Sequence, residues 1–391
     1  MHDFSEQIAF SASGNFEGDG FGSSLAISGD GKTLAVGTGG TPLGYVKLYK
    51  RSGADWSEFQ EILGSDPLDE SFASFVDLSD DGSILVLGSS IIYYYESIDS
   101  SLYQLVEFES YSASQGAVSG DGGTIAFITD IQKDCHIFER SSNGTDYSFD
   151  RVGIPISGNW TSVALNTNGS IMILGSASDA SDSAGSAFVF QWKTNLTDVS
   201  MSDWVQMGGE ITPDDIEEDS FGDRETVSIT SDGLTVSVGS GRGADATGIV
   251  RVYNYDESAE TWKQRGNDLV GDTTDDDGTE DNLAINKMSS DGNYLVAGSP
   301  LHGYYKIFQW NGIDYDVRTT VNVGGTENDV KWVDISDDGG LVANGNPTLD
   351  DGIGTIYLYE TGVVDYSPAF DSLNYGMTSF VMLAIIPMAL F

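Results

Sequence analysis

The chain has 391 residues, 61 of them acidic and 17 basic, for a formal net charge of −44. Such a surface repels phosphate backbones and anionic lipid heads, which excludes nucleic acid as a partner and favours cations or basic partners. A hydrophobic content of 39% supports a real core and excludes wholesale disorder, and 48 glycines against 8 prolines, with no collagen-like period, indicate many tight turns.

The N-terminus carries no basic region followed by an apolar stretch, so no signal peptide is visible. Residues 4–10, FSEQIAF, read as one alternating strand standing apart from any hairpin. A unit then begins that recurs to the end of the patterned sequence. Its anchor is a turn: SGDG (28–31), SDDG (79–82), SGDG (119–122), NTNG (166–169), TSDG (230–233), SSDG (289–292) and SDDG (336–339). The closing glycines lie 51, 40, 47, 64, 59 and 47 residues apart. Asp-Gly and Asn-Gly tolerate positive φ, which predicts a two-residue hairpin turn at each.

Each turn is flanked by short β-branched and aromatic runs, such as SLAIS before and TLAVGT after the first. A third run follows a Gly-rich loop (YVKLYKR, IVRVYNY, YKIFQW), and these lengths and compositions mean strands. A fourth strand starts at an aromatic: Trp56, Tyr103, Tyr147, Trp204, Trp262 and Tyr315. Six fourth strands serve seven repeats, because the last unit ends at TIYLYE. The orphan strand 4–10 supplies the missing one, pairing antiparallel with residues 355–360. The predicted fold is therefore an all-β, seven-bladed propeller of four-stranded antiparallel blades over residues 1–365, closed by the N-terminal strand. An open solenoid or a pair of sandwiches are the alternatives.

This strand order puts the turns between first and second strands on one face and the long, variable loops on the other, where binding sites usually sit. Two of those long loops concentrate acid. PDDIEEDSFGDRE (213–225) includes Asp214, Asp215, Glu217, Glu218, Asp219 and Asp223, and DTTDDDGTED (272–281) includes Asp272 and Asp276. They lead into blades five and six, so a ring makes them neighbours. The expected function is a non-catalytic binding or adhesion module presenting these loops to a protein or glycan. A second reading is a cation-dependent lectin or glycoside hydrolase on the same face. Ca²⁺ is the cation to expect, with Asp275, Asp277, Glu280 and Asp281 as candidate ligands, although the segment lacks EF-hand spacing.

Catalytic signatures are missing from the sequence. The three histidines, His2, His136 and His302, have no zinc or triad spacing. The lone Cys135 adjoins His136 on a predicted strand, which points the two to opposite faces. Asn143, Asn159, Asn168 and Asn195 head N-glycosylation sequons, which permit a secreted setting.

The pattern FGSSLAISGDGKTLAVGTGG…GYVKLYKRSG resembles the FG-GAP repeat of integrin α-subunit propellers. The Phe-Gly element stands at Phe21-Gly22 and Phe221-Gly222, with Phe72-Ala73 as a relic, while the other four blades depart from it. Gly-x-Pro survives as GSP (298–300) and GNP (345–347). The resemblance spans residues 1 to about 361 and implies a seven-bladed, commonly extracellular propeller used in adhesion or ligand binding. Family members hold Ca²⁺ on an Asp-rich hairpin between the first two strands of some blades, but the turns here lack those ligands. Residues 366–391 break the pattern with a near-apolar run of 17 residues from Tyr375, which fits a membrane anchor, a glycosylphosphatidylinositol signal with Ser372 or Gly376 as attachment points, or a helix packed on the propeller. A monomer outside the cell or at its surface is the expected setting.

Overall fold

The structure, a computed structural model, describes residues 8–39, 44–64, 72–88, 91–98, 101–108, 112–142, 147–177, 185–195, 202–213, 221–223, 225–241, 247–272, 282–300, 302–323 and 330–362. The seven hairpin units become seven antiparallel sheets, and in blades 1 to 6 the strands run in chain order from the axis outward. The first strands of successive blades touch one another around a full circle, from blade 1 through blade 7 and back. The wheel is closed. Among the described residues the helical content is one turn, Leu349–Gly352, and no helix is long and apolar enough to cross a membrane.

Blade 7 takes its outer strand from the opposite chain end. Ile8–Ser13 pairs antiparallel with Thr355–Glu360, from Ile8 against Tyr359 to Ser13 against Thr355. The partner is the expected one, but the described strand extends three residues past Phe10; residues 1–7 lie outside the described set. The extension has a cause. Gly14, Gly20 and Phe21 donate backbone hydrogen bonds to Gly354, Gly352 and Ile353, so the chain stays stitched to blade 7 until blade 1 begins. Phe10 then packs against Tyr49 and Trp56 of blade 1, at 5.1 and 6.0 Å between ring centroids.

The repeated turn is longer than two residues. In blade 1 the N–H of Ser28 donates to the Thr33 carbonyl, which leaves four residues, Gly29–Lys32, between them. The glycine N–H donates back to the carbonyl of the residue that opens the turn (Ser, Asn166 or Thr230) in every blade, at 2.7–3.0 Å. Only the closing glycine has positive φ (65° at Gly31, 64° at Gly82); Asp30 and Asp81 do not. The aspartate serves hydrogen bonding instead. Its Oδ1 accepts the N–H two residues on and the hydroxyl of the Ser or Thr that opens the turn, as Asp81 does from Ser83 at 2.8 Å and from Ser79 at 2.8 Å. That opening side chain accepts the N–H five residues on, at 2.9–3.1 Å in all seven blades. The motif satisfies its own polar groups, the local mechanism that favours Ser and Asp in turns.

The core lies between blades. Ile84 and Val86 of blade 2 share a fully buried cluster with Ile125 and Phe127 of blade 3, and each such side chain contributes about 1.5–3 kcal/mol. Glycine is required where blades approach most closely: a Cβ on Gly345 would stand 2.1 Å from the Gly22 carbonyl oxygen, and one on Gly175 2.2 Å from that of Gly222. On the rim, the tryptophans that head the fourth strands of blades 4 and 5 reach the preceding blade. The indole N–H of Trp204 donates to the Val152 carbonyl (3.3 Å) and that of Trp262 to the Met207 carbonyl (2.8 Å).

Candidate functional site

Most of the acidic residues singled out in the sequence lie outside the described set: Asp214, Asp215, Glu217, Glu218 and Asp219, and Asp275, Asp276, Asp277, Glu280 and Asp281. The roots of both loops are described and are adjacent, since the first strands of blades 5 and 6 touch and the Asn286 N–H donates to the Glu225 carbonyl. Asp223 is exposed. Asp272 is engaged: its carboxylate receives the buried Lys306 ammonium at 2.8 Å, and its N–H donates to the Tyr304 hydroxyl at 3.0 Å. Among the described residues no group of three or more His, Cys, Asp or Glu could hold a metal ion.

A concave site forms where the sequence promised only tight turns. The seven first strands enclose an axial cavity of ≈ 140 Å³ that opens among the turns of the first face. Its rim is a ring of backbone hydrogen bonds from turn to turn: Asp30 to Asp80, Asp80 to Gly120, Asp121 to Thr167, Thr167 to Ser231, Ser231 to Ser290, Ser290 to Asp337 and Asp337 to Gly29, at 2.8–3.4 Å. A mouth built this way is fixed in shape.

Charge enters the cavity from blades 2, 6 and 7 and from the segment leading into blade 5. Blades 2 and 7 carry nearly the same heptad, VDLSDDG (76–82) and VDISDDG (333–339), and the blades that follow them carry LAISGDG (25–31, after blade 7) and GAVSGDG (116–122, after blade 2). This alternation has a steric reason. Asp334 reaches across to accept the Ile27 N–H and Asp77 the Val118 N–H, each at 2.8 Å, where the neighbouring blade offers Ala26 or Ala117. One turn nearer the mouth, Asp337 lies over Gly29 and Asp80 over Gly120; a Cβ on either glycine would stand 2.2 Å from the carboxylate. Lys287 of blade 6 provides the positive charge, with its ammonium 3.8 Å from Glu225.

The two levels differ in compensation. At the deep level burial raises the Asp77 carboxyl to about 7 and that of Asp334 to about 6, although Lys287 and the accepted N–H groups pull both down. Burial opposes the charge on Lys287, yet Glu225, Asp334 and Asp77 outweigh it and hold the ammonium above its ordinary value. At the mouth, burial and the charges of Asp80, Asp334, Asp338 and Asp30 push Asp337 to about 7. Among the described residues the Asp337 carboxylate has no hydrogen bond or ion pair, and Asp80 receives only the Thr167 hydroxyl at 3.3 Å. The mouth is a pair of carboxylates on a fixed backbone rim, with no cationic side chain paired to either among the described residues.

These residues were legible only as a difference among repeats. Every repeat has the turn aspartate or asparagine, and only blades 2 and 7 add a second aspartate before it and a third at the strand position facing the axis. Cys135 and His136 do point apart. The thiol is fully buried and pushed up by burial, and the imidazole stacks on Phe127 at 5.8 Å and is held below its ordinary value by burial. Such a thiol is inert.

No family model and no curated protein matches the chain. Solved structures do: hydrazine synthase of Kuenenia stuttgartiensis superimposes with a TM-score of 0.58 at 14% identity, covering 85% of this chain and 94% of that one. At that identity the likeness shows a shared fold. The chain is a seven-bladed β-propeller.

Proposed function

We propose that the chain is a non-catalytic binding module that engages a basic protein partner, as a monomer outside the cell or at its surface. The observation that carries this reading is the axial mouth, where Asp80 and Asp337 stand on a fixed rim and have no counter-charge among the described residues. A lysine or arginine side chain of a partner supplies that charge, and an arginine adds a planar fork suited to two carboxylates. The acid-rich stretches 213–225 and 272–281, rooted at neighbouring blades on the opposite face, supply a second negative field that speeds encounter. The resemblance to FG-GAP repeats agrees with this role, and its Phe-Gly positions share one backbone conformation: Gly22 and Gly222 adopt positive φ, and Ala73, the relic position, has φ at 62°. The apolar tail 366–391, outside the described residues, then tethers the wheel to a membrane. A chain ending at Asp365 that fractionates like the full one would overturn the tether.

Titration of the full chain with a hexa-arginine peptide, by calorimetry in 50 and 300 mM NaCl, tests the reading. Binding weakens with salt, and Asp80→Asn with Asp337→Asn weakens it about tenfold, or 1.4 kcal/mol. Undiminished binding in that variant, with loss when residues 214–219 are neutralised, moves the site to the opposite face. No binding at either salt overturns a basic partner, and a hit on a glycan array would then select the glycan ligand.

A further inference from the structure

We infer that the hub of the wheel is an acid-strengthened lock: the aspartates that blades 2 and 7 send to the axis repel one another when all are ionised, and proton capture by the cluster tightens the ring. This inference concerns the fold and stands whether or not a basic partner binds.

The geometry comes first. Asp77 and Asp334 each bridge to the first strand of the next blade, while Asp80 and Asp337 each lie across the next blade's turn. Two of the seven blade-to-blade joints at the axis, 2 to 3 and 7 to 1, therefore run through paired carboxylates. The charged groups facing this cluster are Lys287 from blade 6, Glu225 from the segment leading into blade 5, and the turn aspartates Asp30, Asp81, Asp121 and Asp338. Five carboxylates in and around the cavity (Asp77, Asp80, Glu225, Asp334, Asp337) thus face one ammonium. Among the described residues no second lysine or arginine lines the cavity. Full ionisation leaves the excess charge in a space that holds only a few waters.

Protonation does not break the bridges. A neutral carboxyl keeps a carbonyl oxygen that accepts the backbone N–H, and it gains an O–H that can donate to an ionised neighbour. The proton comes from solvent, and nothing else is consumed. Because Asp77, Asp334 and Asp337 are raised above the ordinary carboxylate range, the folded wheel holds protons that the unfolded chain has released. Their contribution to stability is complete below about pH 4, the unfolded value, and is lost as pH rises through about 6 to 7.

The overall charge of −44 also destabilises the protein at high pH, so the test separates hub from surface. Melting temperatures of the full chain are measured from pH 5 to pH 8 for the wild type, for Asp337→Asn, and for Glu257→Gln as an exposed control that removes one charge. The expected result is a wild-type decline across that range. Asp337→Asn lifts the value at pH 8 by about 2–4 °C, lifts it less at pH 5, where only part of the penalty has developed, and flattens the slope, while Glu257→Gln moves the curve by much less. Equal effects of the two variants, or a loss at both pH values in Asp337→Asn, overturn the lock. Infrared spectra give a second readout that does not depend on unfolding. A protonated-carboxyl band at pH 6 that diminishes in folded Asp77→Asn or Asp337→Asn protein supports the cluster, and its absence from the wild type overturns it.

Discussion

Asp80 and Asp81 are neighbours in sequence and opposites in circumstance. Asp81 closes its own turn, where burial acts to raise its carboxyl but hydrogen bonds from Ser83 and Ser79 more than offset it and hold it below the ordinary value. Asp80 points to the axis, where burial raises its carboxyl, the Thr167 hydroxyl pulls it down, and the charges of Asp121 and Asp81 push it up again. The same contrast recurs at Asp338, which receives the Ser336 hydroxyl and the Gly340 N–H, and Asp337, whose carboxylate receives nothing among the described residues. One side chain is a local staple, and the other is a long-range charge whose meaning depends on six other blades. Identical residue type says little until the address is known.

The most drastic way to break this comparison is to open the ring. Removing residues 1–13 takes the outer strand from blade 7 and exposes Tyr49 and Trp56 beside the seam. We expect a loss of several kcal/mol and a fall of about 10 °C or more in melting temperature. A truncated chain that melts with the full one would mean that closure does not depend on this strand. With the ring gone, the axial aspartates should behave like exposed ones, so Asp337→Asn should have no effect in the truncated protein.

Next in size is the staple itself. Asp81→Ala leaves the Ser83 N–H and the Ser79 hydroxyl without their acceptor and should cost about 1–2 kcal/mol at neutral pH. Denaturant unfolding checks this. Its pH dependence should oppose that of the hub. A depressed carboxyl contributes stability that is present above the unfolded value near pH 4 and is lost as pH falls through the folded value. Asp81→Ala should therefore flatten the profile below pH 4, where Asp337→Asn changes nothing.

The smallest effect sharpens the steric half of the argument. Gly120→Ala places a methyl group against the Asp80 carboxylate, the movable end of a side chain, and should cost under about 1 kcal/mol. Combined with Asp80→Ala, the cost should vanish. A double-mutant cycle showing strict additivity would mean that glycine and aspartate do not compete for this space.

Much of the fold was legible because the signals are local. Gly31 and its six equivalents mark turns that need one positive φ, and runs such as TLAVGT can bury two faces only between blades. Trp204 and Trp262 mark fourth strands because their indoles must reach a carbonyl in the preceding blade. Two local readings were incomplete. The turn proved longer than Asp-Gly alone suggests, because the serine that opens it is a hydrogen-bonding partner as well as a strand end. The N-terminal strand ran three residues beyond Phe10, because Gly14 and Gly20 hold the chain to blade 7. The axial site is not legible in any single repeat. Nothing within VDLSDDG distinguishes the aspartate that staples its turn from the two that face the axis.

The sequence by itself determined that this chain makes seven antiparallel hairpin units and borrows a strand to finish the last, because period-two patterning, turn chemistry and strand count are properties of short segments. Only the tertiary structure decided which carboxylates meet. Asp77 and Asp334 lie 257 positions apart in the chain, and what brings them to one cavity with Lys287 is ring closure, a condition that no single blade contains.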